Sequence, residues 1–134
     1  MSRLSYRLCL AAFMAVLGCP AWSYALCSFP SALTGVWKAN DGGTYYIREN
    51  GNEIWWVGRS RDGGKSWSNV YSGVRSGSSI IGKWADVPMG RARGGGIMNL
   101  QISGTELRRI EVTGGFGGSR WSRHCEDTIL IPVQ

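Results

Sequence analysis

Between residues 35 and 125 the chain is a series of short runs rich in aromatic and β-branched residues, each followed by turn-forming residues such as Gly, Ser, Asn or Asp. Apolar and polar residues alternate within these runs, as they do in strands with one buried face. No apolar set recurs at helical spacing for long. The runs cover residues 35–39, 44–49, 53–59, 67–75, 79–87, 96–102, 106–113 and 120–125. This pattern predicts an all-β protein of about eight strands.

The connections between the runs are short. Asn50-Gly51 is a dipeptide that favours a tight type I′ hairpin turn, with positive φ at both central residues. Consecutive hairpins leave no room for crossovers, so we expect a small antiparallel up-and-down β-barrel, whose closure removes exposed edges. On the run 106–113, alternation predicts that Ile110 and Val112 share one buried face.

The first 25 residues are predicted to be a signal peptide, and residues 26–134 a single barrel domain. Arg3 and Arg7 precede the uncharged apolar run 8–17, Pro20 ends it, and small residues lead to a cleavage site after Ala25. The apolar run is shorter than the roughly 20 residues of a membrane span. We therefore expect export to the periplasm or the medium, with no membrane span.

Two cysteines follow the predicted cleavage site, and export would place them in an oxidising compartment. Cleavage after Ala25 would leave Cys27 near the start of the mature chain and Cys125 near its end, a pair expected to form a disulfide. Two unpaired thiols are the alternative, because spacing alone does not bring the Cα atoms together. A second processing route is also open: residues 16–19 resemble a lipobox, which would attach lipid to Cys19.

The charge is mildly basic. Removing Arg3 and Arg7 lowers the formal net charge from +6 to +4. This balance suits an acidic partner or anionic envelope polymers. Because the basic residues are scattered along the predicted strands and the chain is expected to be exported, we expect no nucleic-acid partner.

Residues for catalysis are scarce. His124 is the only histidine, and the neighbouring Cys125 is assigned to the disulfide, so we predict neither a nucleophile–base pair nor a metal site. No cofactor is expected. Asp86 lies inside an apolar run, and its ordinary explanation is a paired carboxylate.

Aromatic residues are the unusual feature. Six of the seven tryptophans follow Ala25. Trp55 and Trp56 are adjacent and must point to opposite faces of one strand, as must Tyr45 and Tyr46. One face fills the core, and the other is exposed or is covered by a loop, a second protomer or a ligand. Because aromatic residues and Arg are enriched at binding hot spots, we interpret it as a binding face; ordinary core packing with stacked surface Arg is the alternative. The candidate binding face comprises Tyr46, Arg48, Trp56, Arg59, Trp84 and Asp86.

Three resemblances add to this interpretation. Residues 60–67 (SRDGGKSW) resemble an Asp box, the turn of sialidases and other β-propeller proteins, with Asp62, Gly64 and Trp67 at its defined positions. The resemblance implies a structural hairpin, in which the Asp bonds back onto the turn, and it implies no glycosidase chemistry. One copy in so short a chain argues against a propeller.

Gly35-Val36-Trp37 at the start of the first strand, with an Arg on the last, resembles the calycin plan of lipocalins and avidins. In those families the Trp seals one end of the barrel and the Arg stacks across it; Arg120 is assigned this role here, with Arg123 as the alternative. The blocks NDGGTYYIR (40–48), IWWVG (54–58), WADVP (84–88) and TGGFGGSRW (113–121) are similar to a secreted bacterial β module of no assigned activity.

Two functional hypotheses follow. The first is an exported, non-catalytic module that binds a partner through its aromatic and Arg-rich surface. The second is a carrier of a small hydrophobic or aromatic ligand inside the barrel, for which glycines such as Gly58, Gly73 and Gly82 would leave space. Six tryptophans would fill an eight-stranded interior and favour the first hypothesis. An enzyme is the least favoured.

Overall fold

The computed structural model describes residues 32–123, which form eight antiparallel strands and no helix, hence no helix that could cross a membrane. Each strand pairs with the next along the chain, and the last pairs with the first, so the sheet closes into a barrel. The predicted all-β up-and-down barrel is confirmed, and it fits the calycin plan. The strands are β1 (Gly35–Ala39), β2 (Thr44–Asn50), β3 (Glu53–Arg59), β4 (Ser68–Ser76), β5 (Ser79–Asp86), β6 (Gly95–Ser103), β7 (Glu106–Val112) and β8 (Arg120–Arg123).

Three two-residue hairpin turns lie at one end of the barrel, which we call the proximal end. Each has glycine at its first central position, with φ of 61° at Gly51, 59° at Gly77 and 57° at Gly104. Among the described residues only glycines have positive φ, so the second central residue of each turn does not. This pattern is that of a type II′ turn. The type I′ turn predicted with Asn50 and Gly51 at its centre is therefore wrong, since Asn50 pairs with Glu53 and the central residues are Gly51 and Asn52.

The other end, the distal end, carries longer connections over residues 40–43, 60–67, 87–94 and 113–119. The described chain starts before β1 and finishes with β8, and both of these points lie at the proximal end. Within residues 32–123 the distal end is therefore built from loops between strands, a common place for binding residues on a rigid scaffold.

Inward-facing side chains fill the barrel. Tyr45 lies over Gly58, where a Cβ would come within 2.5 Å of its ring, and Tyr71 lies equally close to Gly82. Glycines that could have left a cavity instead receive tyrosine rings. The buried hydrophobic residues are Leu33, Trp37, Tyr45, Ile47, Ile54, Trp56, Tyr71, Ile80, Trp84, Met98, Leu100, Leu107, Phe116 and Trp121. Such a core provides the large apolar area that a small domain needs.

A β-bulge interrupts the pairing of β6 with β7. Leu100 pairs with Arg109 and Asn99 pairs with Glu111, which leaves Ile110 as an extra residue. The extra residue reverses the alternation, and Ile110 is 66% exposed. The expectation that Ile110 and Val112 share a buried face is therefore wrong for Ile110.

Candidate functional site

The outer face of strands β2–β6 carries two adjacent cross-strand rows of side chains. The first row passes through Tyr46, Val57, Val70 and Ala85. The second passes through Arg48, Trp55, Ser72, Lys83 and Ile97. Directly opposed residues of antiparallel strands are close enough to contact, and alternation along each strand puts both rows on one face. We call these nine residues the outer patch.

The outer patch is apolar for an exposed surface. Tyr46 and Trp55 are each 49% exposed, and Val57, Val70 and Ile97 are between 38% and 45% exposed. Together with Arg48, Ser72, Lys83 and Ala85 they line an open concavity of about 940 Å³. Single exposed apolar residues are common, whereas a contiguous apolar patch marks an interaction site.

Positive charge borders the apolar residues. Arg48 and Lys83 lie in the same row, three strands apart, which corresponds to about 14 Å. Neither forms an ion pair with the described residues, whereas Arg75 pairs with Glu49 at 2.7 Å and Arg108 pairs with Glu106 at 3.1 Å. The two cations of the patch are therefore available for carboxylates on a partner.

A second groove adjoins the patch at Tyr46. It has a volume of about 630 Å³ and is lined by Lys38, Arg59 and Arg61, with no carboxylate among its lining residues. Arg59 donates a hydrogen bond to the carbonyl of Gly63 at 2.8 Å, which holds its guanidinium beside the turn. The groove extends the positive border of the outer patch toward the distal end.

The structure separates the residues of the predicted binding face. Tyr46 and Arg48 lie in the outer patch, but Trp56 is 3% and Trp84 5% exposed, so both belong to the core. The physical reason is alternation: Trp56 pairs with the inward-facing Ile47, whereas Trp55 pairs with Arg48. Trp56 and Trp84 are among the residues that line the concavity, although both are buried.

Sequence reasoning missed the other seven members of the patch: Trp55, Val57, Val70, Ser72, Lys83, Ala85 and Ile97. The two remaining predicted residues lie elsewhere. Arg59 belongs to the adjoining groove, and Asp86 accepts a hydrogen bond from the Gly94 amide at 2.6 Å at the distal end. Asp86 has no ion pair among the described residues, so the expected pairing with an Arg is not seen there.

At the proximal end Arg123, rather than Arg120, lies over Trp37. Its guanidinium carbon is 5.7 Å from the centroid of the indole ring, and it donates hydrogen bonds to the carbonyls of Ala32 and Thr34. Trp37 is fully buried and donates from its indole nitrogen to Leu33 at 2.9 Å. Arg120 is exposed, at the distal start of β8, because β8 runs toward the proximal end.

Asp62 organises the turn between β3 and β4. One carboxylate oxygen accepts from the Ser60 hydroxyl at 2.5 Å and from the Lys65 and Ser66 amides at 2.9 and 3.2 Å; the other accepts from the Ser66 hydroxyl at 2.6 Å. These hydrogen bonds hold the pKa of Asp62 below its ordinary value. Trp67 packs against Tyr45 with a centroid separation of 5.8 Å. The site is a structural turn.

Several predicted features lie outside the described residues: the signal peptide, Cys19, the pair Cys27 and Cys125, and His124. Within residues 32–123 no cluster of three or more potential metal ligands occurs. No protein-family model, no curated protein and no solved structure gives a significant match to the chain. The similarity to a secreted bacterial β module stays a prediction from its four sequence blocks.

Proposed function

We propose that this protein is an exported, non-catalytic binding module whose outer patch binds a protein partner that presents apolar side chains beside carboxylates. The observation that carries the proposal is the outer patch itself. Tyr46 and Trp55 expose half of their surface within a continuous apolar concavity, and Arg48 and Lys83 at its border have no ionic partner among the described residues.

The chemistry of the partner follows from this arrangement. Desolvated aromatic anchors contribute most of the energy of an interface, and charges at the rim set orientation and rate of association. Lys38, Arg59 and Arg61 in the adjoining groove add positive charge on one side. A second copy of this chain would bring Arg48 and Lys83 near like charges, which disfavours self-association through this face.

The alternative function, a carrier of a small hydrophobic or aromatic ligand within the barrel, finds less support. Tyr45 and Tyr71 occupy the space over the inward glycines, and Trp56 stacks on Tyr71 with a centroid separation of 4.4 Å. An interior filled in this way leaves little room between the strands.

Site-specific photo-crosslinking in the cells that produce the protein tests the proposal. A benzophenone amino acid is placed at Trp55 or Tyr46, and at Ile110 as the matched exposed control on β7. We expect crosslinking at Trp55 and at Tyr46 to give the same single protein adduct, and crosslinking at Ile110 to give none. We also expect Arg48→Glu to reduce the yield of that adduct. Equal adducts at all three positions, adducts only with a second copy, or no adduct would overturn the proposal.

A further inference from the structure

A separate cavity of about 260 Å³ opens at the distal end of the barrel. Three aromatic rings and three polar side chains line it together with loop glycines: Trp67, Trp84, Phe116, Asp41, Asn69 and Asp86. It lies at the opposite end from the first and last described residues and does not include any residue of the outer patch.

The walls of this cavity are held in place. Trp84 donates from its indole nitrogen to the Thr113 carbonyl at 2.9 Å and contacts Phe116 edge to face, with a centroid separation of 4.8 Å. Trp67 packs on Tyr45, and Asn69 is 3% exposed and accepts from the Trp56 indole at 3.0 Å. A binding site on side chains that are already fixed loses less conformational entropy when it is filled.

The two carboxylates of the cavity have hydrogen-bond donors but no cation. Asp41 accepts from the Tyr45 hydroxyl at 2.5 Å and the Gly43 amide at 2.8 Å, and Asp86 accepts from the Gly94 amide. Neither forms an ion pair within residues 32–123, although the chain has 15 basic and 9 acidic residues. Two negative charges beside aromatic rings favour the binding of a positively charged ligand.

We infer that the distal cavity binds an alkylammonium group, as a small organic cation or as the end of a longer ligand. Aromatic rings attract such a cation through their negative faces, and the carboxylates balance its charge. The cavity is smaller than the roughly 300–1,000 Å³ of sites for drug-sized molecules, so it accommodates a head group rather than a whole ligand. This inference does not depend on the outer patch.

The test uses choline as the probe and 3,3-dimethylbutan-1-ol, its uncharged isostere, as the matched control ligand. Amide chemical shifts are followed during titration of the full mature chain. We expect choline to produce saturable shifts at Gly94, Gly115 and Phe116 and the isostere to bind about tenfold more weakly or not at all. Equal binding of the two compounds, shifts elsewhere only, preferential binding of a neutral sugar, or no saturable shift would overturn the inference.

Asp86→Asn provides the matched variant, because the amide oxygen of Asn can still accept from Gly94 while the charge is lost. We expect this change to weaken choline binding about tenfold with thermal unfolding close to that of the wild type. Glu53→Gln, the same chemical change on the exposed start of β3, should leave choline binding unchanged. If Asp86→Asn binds choline as the wild type does, the carboxylate has no part in recognition and the inference is wrong.

Discussion

Trp55 and Trp56 are consecutive on β3, yet one is 49% exposed in the outer patch and the other is 3% exposed in the core. Trp56 stacks on Tyr71 and donates its indole hydrogen to Asn69 at 3.0 Å. Trp55 lies between Arg48 and Ser72 on the outer surface. A single step along the chain thus separates a stabilising residue from a residue available for binding.

This relationship gives a matched pair of variants. Trp56→Ala should lower the free energy of unfolding by about 3–5 kcal/mol, because it leaves a large cavity in the core and an orphaned Asn69 oxygen. Trp55→Ala should lower it by less than about 1 kcal/mol, because its side chain remains half in water. Urea denaturation of both variants measures the difference, and equal losses would contradict the assignment of faces.

Strand β3 shows how much of the fold and of the patch could be predicted from the sequence. Alternation and turn residues are local signals, so the eight strands and their order followed from them. The face on which each tryptophan lies depends on how β2 and β3 pair. With a two-residue turn, whether at Asn50-Gly51 or at Gly51-Asn52, even-numbered residues of β2 pair with odd-numbered residues of β3. Either register places Trp55, and not Trp56, on the same face of the sheet as Tyr46. The sequence therefore contained enough information to assign the two tryptophans to their faces.

Other features could not be derived in this way. The bulge at Ile110 depends on how β7 pairs with β6, and Lys83, Val70 and Ile97 join the outer patch through pairing across several strands. The choice of Arg123 over Arg120 depends on which end of β8 meets Trp37. These relationships join residues that are distant in the sequence, and local periodicity does not predict them.

Arg123 is expected to stabilise the proximal end of the barrel. The substitution Arg123→Ala removes the cation–π contact with Trp37 and the hydrogen bonds to two carbonyls. We therefore expect it to lower the free energy of unfolding by about 1–3 kcal/mol. Arg120→Ala, on the exposed start of the same strand, should change stability by less than about 0.5 kcal/mol. Chemical denaturation distinguishes them, and a larger effect at Arg120 would reverse the assignment.

The turn at Asp62 should make stability depend on pH on the acid side. Its pKa is lowered in the folded chain, so its contribution is fully present above the ordinary value of about 3.9 and is lost as the pH falls through the lower folded value. Asp62→Asn should therefore be less stable than the wild type at neutral pH, and the difference should shrink in acid. A difference that is constant across this range would show that charge is not involved.

Two buried tyrosines should make the folded protein less stable at alkaline pH. Burial, together with the neighbouring charge of Asp41, raises the pKa of Tyr45, and burial raises that of Tyr71. The unfolded chain loses these protons above about pH 10 while the folded chain retains them, so the free energy of unfolding should fall as the pH rises further. Tyr45→Phe should show a shallower fall in denaturation midpoints, and an unchanged slope would exclude Tyr45 as a source.

The central claim is that the outer patch recognises a partner. Its most direct test is the dissociation constant of the partner captured at Trp55, purified and measured by calorimetry against the wild type, Trp55→Ala and Ile110→Ala. We predict that Trp55→Ala weakens binding about tenfold or more and Ile110→Ala leaves it unchanged. Equal affinity of the wild type and Trp55→Ala would contradict the claim.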